Sequence, residues 1–302
     1  MLEIQAEAGR ERLDRFLVAN LPHVSLSKVR RMIADGIVLI NGEQGLPGQR
    51  LSEGDKIAIH ASSLPVSAAT PEPLPLDIIY EDEHIILINK SAGILVHPSN
   101  KVKTGTLTNA LSHYYLVSGQ KSARTGLVHR LDAQTSGMIV IAKTLRAHRG
   151  LSKAFHERHV AKSYVTIVRG VVDNNSGMID APIGHDPKTW PRWKVMDEGR
   201  HSQTKYRVLQ RFRSHTLLEL EPLTGRTHQI RIHCAFIGHP VIGDPFYGRS
   251  IEVSSDGPHL KHHLLHASRI EFLHPVSKQQ MSFEAPLPSV MSDLIKELST
   301  TI

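Results

Sequence analysis

The chain has 302 residues, 40% of them hydrophobic and 22% charged, with a formal net charge of +7. That is a globular composition of one large or two smaller domains; no apolar run approaches the roughly 18 residues of a membrane span. The first ten residues carry acids and no apolar core, so no signal peptide is expected. The single cysteine, Cys234, excludes an internal disulfide and fits a reducing, cytoplasmic setting.

An amphipathic helix is expected over residues 11–20, with Leu13, Phe16 and Leu17 on one face. A second should start at a Ser25 or Ser27 cap and stop at Gly36. The run Ile37-Val38-Leu39-Ile40 then meets Asn41-Gly42, a strong hairpin signal. Short strands are expected near Arg50-Leu51 and over 56–60. Residues 61–75 hold four prolines and no Lys or Arg, which reads as a linker. This divides the chain into domains at 1–60 and 76–302, joined by 61–75.

Beyond the linker, strands are expected at 78–80 and 85–88 around an acidic turn. Helices are expected at 106–115 and 144–159, strands at 164–168, 205–212 and 216–220, and a last helix at 289–298. Strands in consecutive pairs predict an α+β fold with a mixed, largely antiparallel central sheet flanked by helices and loops. A smaller α/β unit precedes it.

Arg10, Arg12, Arg15, Lys28, Arg30 and Arg31 lie on or beside the first two helices, against Glu11 and Asp14 alone. Such a surface suits a phosphate backbone, although charge by itself equally describes a solvated helix face. The order R-L-D-R-F-L, S-L-S-K-V-R-R-M-I-A-D-G-I-V-L-I-N-G, L-S-E-G-D-K-I resembles the S-four RNA-binding domain over about residues 10–60. RNA contacts are therefore expected from Arg12, Arg15, Lys28, Arg30 and Arg31.

The segment 129–137 reads H-R-L-D-A-Q-T-S-G and runs straight into the apolar Met138-Ile139-Val140-Ile141-Ala142. A carboxylate, Asp132, thus sits on a tight loop braced by a buried strand. Alone it reads as a turn cap or as a reactive group. A second polar cluster, Arg226-Thr227-His228-Gln229-Ile230-Arg231-Ile232-His233, follows Thr224-Gly225 and is expected to be helical. An arginine at the start of that helix, Arg226, is expected to pair with Asp132 and keep it ionised.

With these segments the chain resembles an RNA pseudouridine synthase of the RluA family. H-R-L-D-A-Q-T-S-G at 129–137 is similar to that family's catalytic motif. G-R-T-H-Q-I-R-I-H at 225–233 and G-H-P-V-I-G-D-P-F-Y-G at 238–248 are similar to its second signature. Y-E-D-E-H-I-I-L-I-N-K-S-A-G-I-L-V-H-P at 80–98 and L-H-A-S-R-I-E-F-L-H-P at 265–275 also fit.

The resemblance implies the pseudouridine synthase fold and a cofactor-free isomerase that turns uridine in RNA into pseudouridine. Asp132 matches the essential aspartate, Tyr164 the active-site tyrosine and Arg226 the arginine that pairs with the aspartate. Ile230 matches an apolar residue of the base pocket, and Arg130 the position that fills the gap left by a flipped base. His129 and Thr135 are expected to contact substrate. The accessory domain favours large-subunit ribosomal RNA over transfer RNA. Basic stretches at 143–169 and 188–213, the second with Trp190 and Trp193, suit RNA. Trp193 is expected to pack in the core or a loop.

Twenty histidines invite a metal, but His156-Glu157-Arg158-His159 is not H-E-x-x-H and there is one cysteine, so none is expected. No P-loop, G-x-G-x-x-G or G-x-S-x-G motif is present. A competing reading is a non-catalytic RNA-binding or ribosome-assembly factor on the same fold. With no heptad or apolar stripe, a monomer without membrane attachment is expected.

Overall fold

The computed structural model describes residues 2–6, 9–21, 24, 26–59, 69–99, 101–118, 126–188, 193–248 and 260–300. The first unit comprises β1 (Leu2–Gln5), α1 (Leu13–Asn20), α2 (Leu26–Ala34), β2 (Val38–Ile40), β3 (Glu43–Gln44) and β4 (Lys56–Ile59). Its antiparallel sheet has the order β1-β4-β2-β3. Asn41 at φ 51° and Gly42 at φ 91° make the two-residue hairpin that the sequence signals.

Leu13, Phe16 and Leu17 of α1 and Val29, Met32 and Ile33 of α2 lie at i, i+3, i+4 spacing and bury one face of each helix. They meet Val38, Ile57 and Ile59 in a core of their own. Each such aliphatic side chain contributes about 2 kcal/mol when fully buried.

Asp14 is buried in the first turn of α1, where the helix dipole favours an anion. Arg12 and Arg30 each reach it at 3.0 Å. The hydrogen bond from Arg12 does most to pull its carboxyl down to about 2, against the opposing cost of burial. A depressed carboxyl stabilises the fold above its unfolded pKa near 4, and that stability is lost as pH falls toward 2. Asp14→Asn is therefore expected to lower stability at pH 7 by roughly 1 to 2 kcal/mol, since half-exposed guanidiniums are screened, and to matter little at pH 2. Urea unfolding of both proteins at the two pH values measures this.

The larger unit holds a ten-stranded sheet. Its strands are β5 (Ile78–Glu81), β6 (Ile85–Lys90), β7 (Gly126–Leu127), β8 (Ser136–Ala142), β9 (Ala161–Arg169), β10 (Ser176–Asp180), β13 (Gln203–Arg211), β14 (His215–Pro222), β15 (Leu265–Leu273) and β16 (Gln280–Glu284). The order is β10-β13-β14-β9-β15-β8-β6-β5, with β16 beside β15 and β7 beside β8. Every pairing is antiparallel except β8 with β15. A separate ribbon joins β11 (Ile183–His185) to β12 (Trp193–Val195). Trp193 is half-buried there, edge-on to His185, whereas Trp190 lies outside the described residues.

Central strands read as unbroken apolar runs because both faces are covered. Ile86, Ile88, Ile139 and Ile141 face the core shared with α3 (Leu107–Val117) and α5 (Gln229–Phe236). Ile85, Leu87, Met138 and Val140 face α4 (Leu145–His156). Val165, Ile167 and Leu217 face α6 (Ser289–Thr300). The fold is α+β, as expected, and α4 lies within the helix expected over 144–159, capped by the Thr144 hydroxyl. It ends at His156 rather than 159, because Arg158 turns left-handed at φ 61°.

Half of the expected linker is tied down. Residues 60–68 lie outside the described region, but Thr70 and Glu72 are hydrogen-bonded to the start of α3. Glu72 N–H donates to Asn109 O, and the Asn109 side chain donates to Thr70 O. No described helix is long and apolar enough to cross a membrane.

Candidate active site

The loop before β8 is held from every side. Thr135 N–H donates to Asp132 O at 3.1 Å, closing the turn. Gly93 N–H and the Lys90 ammonium both donate to Ala133 O, at 2.8 and 3.0 Å. Lys90 also donates to Ser91 O and Ile94 O, so three carbonyls cap one buried cation. Burial pulls its pKa down to about 7 while Asp132 opposes the shift. Nothing in the period or spacing of N-K-S-A-G marked this lysine as a support of the loop.

On the far side, Thr135 Oγ1 and Ser136 Oγ bond His263 Nε2 and His266 Nδ1, at 2.8 and 2.9 Å. Gly137 sits at φ +107°, and a Cβ there would stand 2.2 Å from Ala267 O. Only glycine allows β15 to come so close.

Two residues expected to contact substrate also brace the scaffold. Val140 N–H donates to His129 Nε2 at 3.0 Å, and the His129 ring stacks on Phe155 at 4.5 Å. Burial pushes that imidazole down to about 3, so it stays neutral and accepts. Thr135 is 2% exposed, and its hydroxyl is committed to His263. Both border the cleft, but His129 Nε2 and the Thr135 hydroxyl face the scaffold.

The expected partner of Asp132 is also corrected. Arg231, not Arg226, pairs with it: Arg231 Nη1 is 3.1 Å from Asp132 Oδ2. The other edge of the same guanidinium grips Asp244, with Nε at 2.7 Å and Nη2 at 2.9 Å. Arg231 is buried between the two carboxylates. Burial opposes ionisation of Asp244, but Arg231 outweighs it and holds that carboxyl below the usual range. Arg226 instead reaches His201 O at 3.3 Å from two nitrogens.

The physical reason is where α5 begins. The helix starts at Gln229, so Arg226 lies on the preceding loop and Arg231 projects from the first turn. Gln229 is a buried hub: its Oε1 accepts from Thr224 Oγ1 and Arg226 N–H, and its Nε2 donates to Gln203 O and Thr204 Oγ1. These four bonds fix residues 224–229 as a loop. His228, at φ 56°, completes the reversal.

Asp132, Arg130, Tyr164, Arg226, His228, Ile230, Arg231 and Leu265 share one cleft of about 1160 Å³. Tyr164 is 9% exposed, and burial, then the charge of Asp132, keeps its phenol protonated. Ile230 is buried beside it in the same core. Arg130 is exposed at the rim. The cleft continues past Phe155 to Arg158, Lys162 and Arg269. Arg12, Arg15, Lys28, Arg30 and Arg31 are all exposed on the first unit, with Arg12 and Arg30 also clamping Asp14. Among the described residues, no group of three or more His, Cys, Asp or Glu is placed to hold a metal ion.

Residues 84–236 match the RNA pseudouridylate synthase family. The chain belongs to that family. Residues 11–57 match the S4 domain. As an RNA pseudouridylate synthase the protein is an isomerase that acts on RNA. It is 40% identical to an uncharacterised RNA pseudouridine synthase of Aquifex aeolicus, over 97% of this chain and 96% of that one. It is 37% identical to the ribosomal large subunit pseudouridine synthase D of Escherichia coli K12, over 95% of this chain and 90% of that one. The solved human RNA pseudouridylate synthase domain containing 4 superposes with a TM-score of 0.62 at 25% identity, covering 74% of this chain and 92% of that one.

Proposed function

We propose that this cleft isomerises uridines of large-subunit ribosomal RNA to pseudouridine, with Asp132 as the reactive carboxylate and no cofactor. The observation that carries this is the Asp132–Arg231–Asp244 chain beside Tyr164 in an open cleft. An arginine shared by two carboxylates keeps Asp132 ionised and aimed. The chemistry balances without a co-reactant. The C1′–N1 bond breaks, C1′ rejoins at C5, and one proton passes from C5 to N1, with no net redox. Tyr164 offers a ring for the extruded uracil, and Ile230 a wall. Arg130, exposed in the cleft lining, enters the gap in the RNA stack on this reading.

The ribosomal target rests on likeness to the Escherichia coli relative and on the accessory unit. Residues 1–60 serve as an RNA-binding domain, 61–75 as the connection and 76–302 as the catalytic domain. The protein acts as a cytoplasmic monomer.

Tritium release from RNA labelled at uracil C5 tests the reading directly. Release from large-subunit ribosomal RNA, but not from transfer RNA, is expected. No release from either favours the non-catalytic RNA-binding factor. Replacing Arg15, Lys28 and Arg31 together by Gln is expected to weaken RNA binding at all sequences. It should also cut the salt dependence of log K by about 2 to 3. An unchanged slope would remove the first unit from the RNA interface.

A further inference from the structure

His228 carries a left-handed backbone, φ 56° and ψ 17°, at a position without glycine. Such strain persists only where the surroundings over-determine it, and it concentrates at functional sites. Here it turns the imidazole into the cleft. The ring lies parallel to Phe246 and edge-on to Tyr247, at centroid distances of 6.4 and 5.8 Å. Its Nδ1 is 2.9 Å from the Tyr247 hydroxyl. Its Nε2 stands 3.9 Å from Asp132 Oδ2, too far for a hydrogen bond.

The proton placement follows from these contacts. Burial keeps the Tyr247 phenol protonated. Among the described residues the hydroxyl meets one acceptor, Nδ1 of His228 at 2.9 Å, so the hydroxyl is assigned as the donor and Nδ1 as the acceptor. Burial also favours the neutral imidazole. The one ring proton then sits on Nε2, which points at the space beside Asp132 with its hydrogen unspent.

We infer that His228, locked in this tautomer by Tyr247, is a positioning residue that donates a hydrogen bond from Nε2 to a carbonyl oxygen of the target uracil. This rests on the proposed reaction. When C1′–N1 breaks, the bonding pair stays on the uracil and its charge spreads to the ring carbonyls. A fixed N–H donor there binds the detached base more tightly than the nucleoside. No proton leaves His228; the donor only holds the base while it turns to present C5.

The test uses the whole enzyme and large-subunit ribosomal RNA labelled at uracil C5. His228→Gly removes the donor and relieves the backbone, because glycine accepts positive φ freely. The expected result is a melting temperature equal to or above that of the wild type. The single-turnover rate should fall about 10²- to 10³-fold, with RNA affinity within about twofold. His228→Gln, which keeps an N–H at similar reach, should recover at least about tenfold of that rate. Wild-type rate in His228→Gly overturns the inference, as does equal slowness of the Gly and Gln variants. A loss confined to affinity also overturns it. Failure of the wild type itself to release tritium would sink the proposed reaction instead.

Discussion

Asp132→Asn is expected to abolish isomerisation, by more than about 10³-fold in kcat, while RNA affinity stays within a fewfold of wild type. The amide keeps the size of the side chain, and its oxygen still accepts from Arg231 Nη1, now 3.1 Å from the carboxylate. Stability should therefore change by only about 1 kcal/mol. The substitution removes one thing, a negative charge at the centre of the cleft. Tritium release and filter binding on the same RNA separate the two effects. Retained turnover would mean that the reactive carboxylate is elsewhere.

Arg231→Lys is expected to be the more damaging change to the protein itself. Arg231 holds Asp244 through two nitrogens and Asp132 through a third. A lysine presents a single compact ammonium in place of a planar fork and cannot satisfy both carboxylates at once. Asp244 is buried, so a poorly paired charge remains inside, at a cost of about 3 kcal/mol. Asp132 also loses its fixed direction, which is expected to lower kcat about 10²-fold. Arg226→Gln supplies the contrast. Among the described residues its half-exposed side chain hydrogen-bonds a backbone carbonyl and forms no ion pair, so stability should shift by no more than about 0.5 kcal/mol. Thermal unfolding and kcat of the two variants decide between the arginines. If Arg226→Gln loses turnover as Arg231→Lys does, the pairing rearranges when RNA binds.

That contrast marks what the sequence could and could not yield. The apolar run 138–142 announced a buried strand, and the loop before it announced a held carboxylate. Asn41-Gly42 announced its hairpin. Spacing announced the existence of the helices, though not where α4 ends or where α5 begins. The arginine choice was not. In G-R-T-H-Q-I-R-I-H the cue Thr224-Gly225 suggests a helix from Arg226, yet the start is delayed by the tertiary bonds of Gln229 to Gln203 and Thr204. Long-range partners leave no local trace. His129 and Thr135 illustrate the same limit: motif membership placed them at the cleft, but only the fold shows their polar atoms facing Val140 and His263. Lys90, at the end of β6, carries no local mark of burial in N-K-S-A-G, yet it is buried under the Asp132 loop.

The loop bearing Asp132 leans on residues that are translated more than a hundred positions later. Thr135 waits for His263, Ser136 for His266, and Gly137 for the backbone of Ala267. The strand that supplies the last two also sits mid-sheet, between β9 and β8. A nascent chain that has emerged only as far as residue 260 thus lacks both the buttress of its Asp132 loop and the strand that joins the two halves of its sheet. Products that stop before residue 265 should be inert, and the isomerase becomes competent only once β15 has paired with β8 and β9.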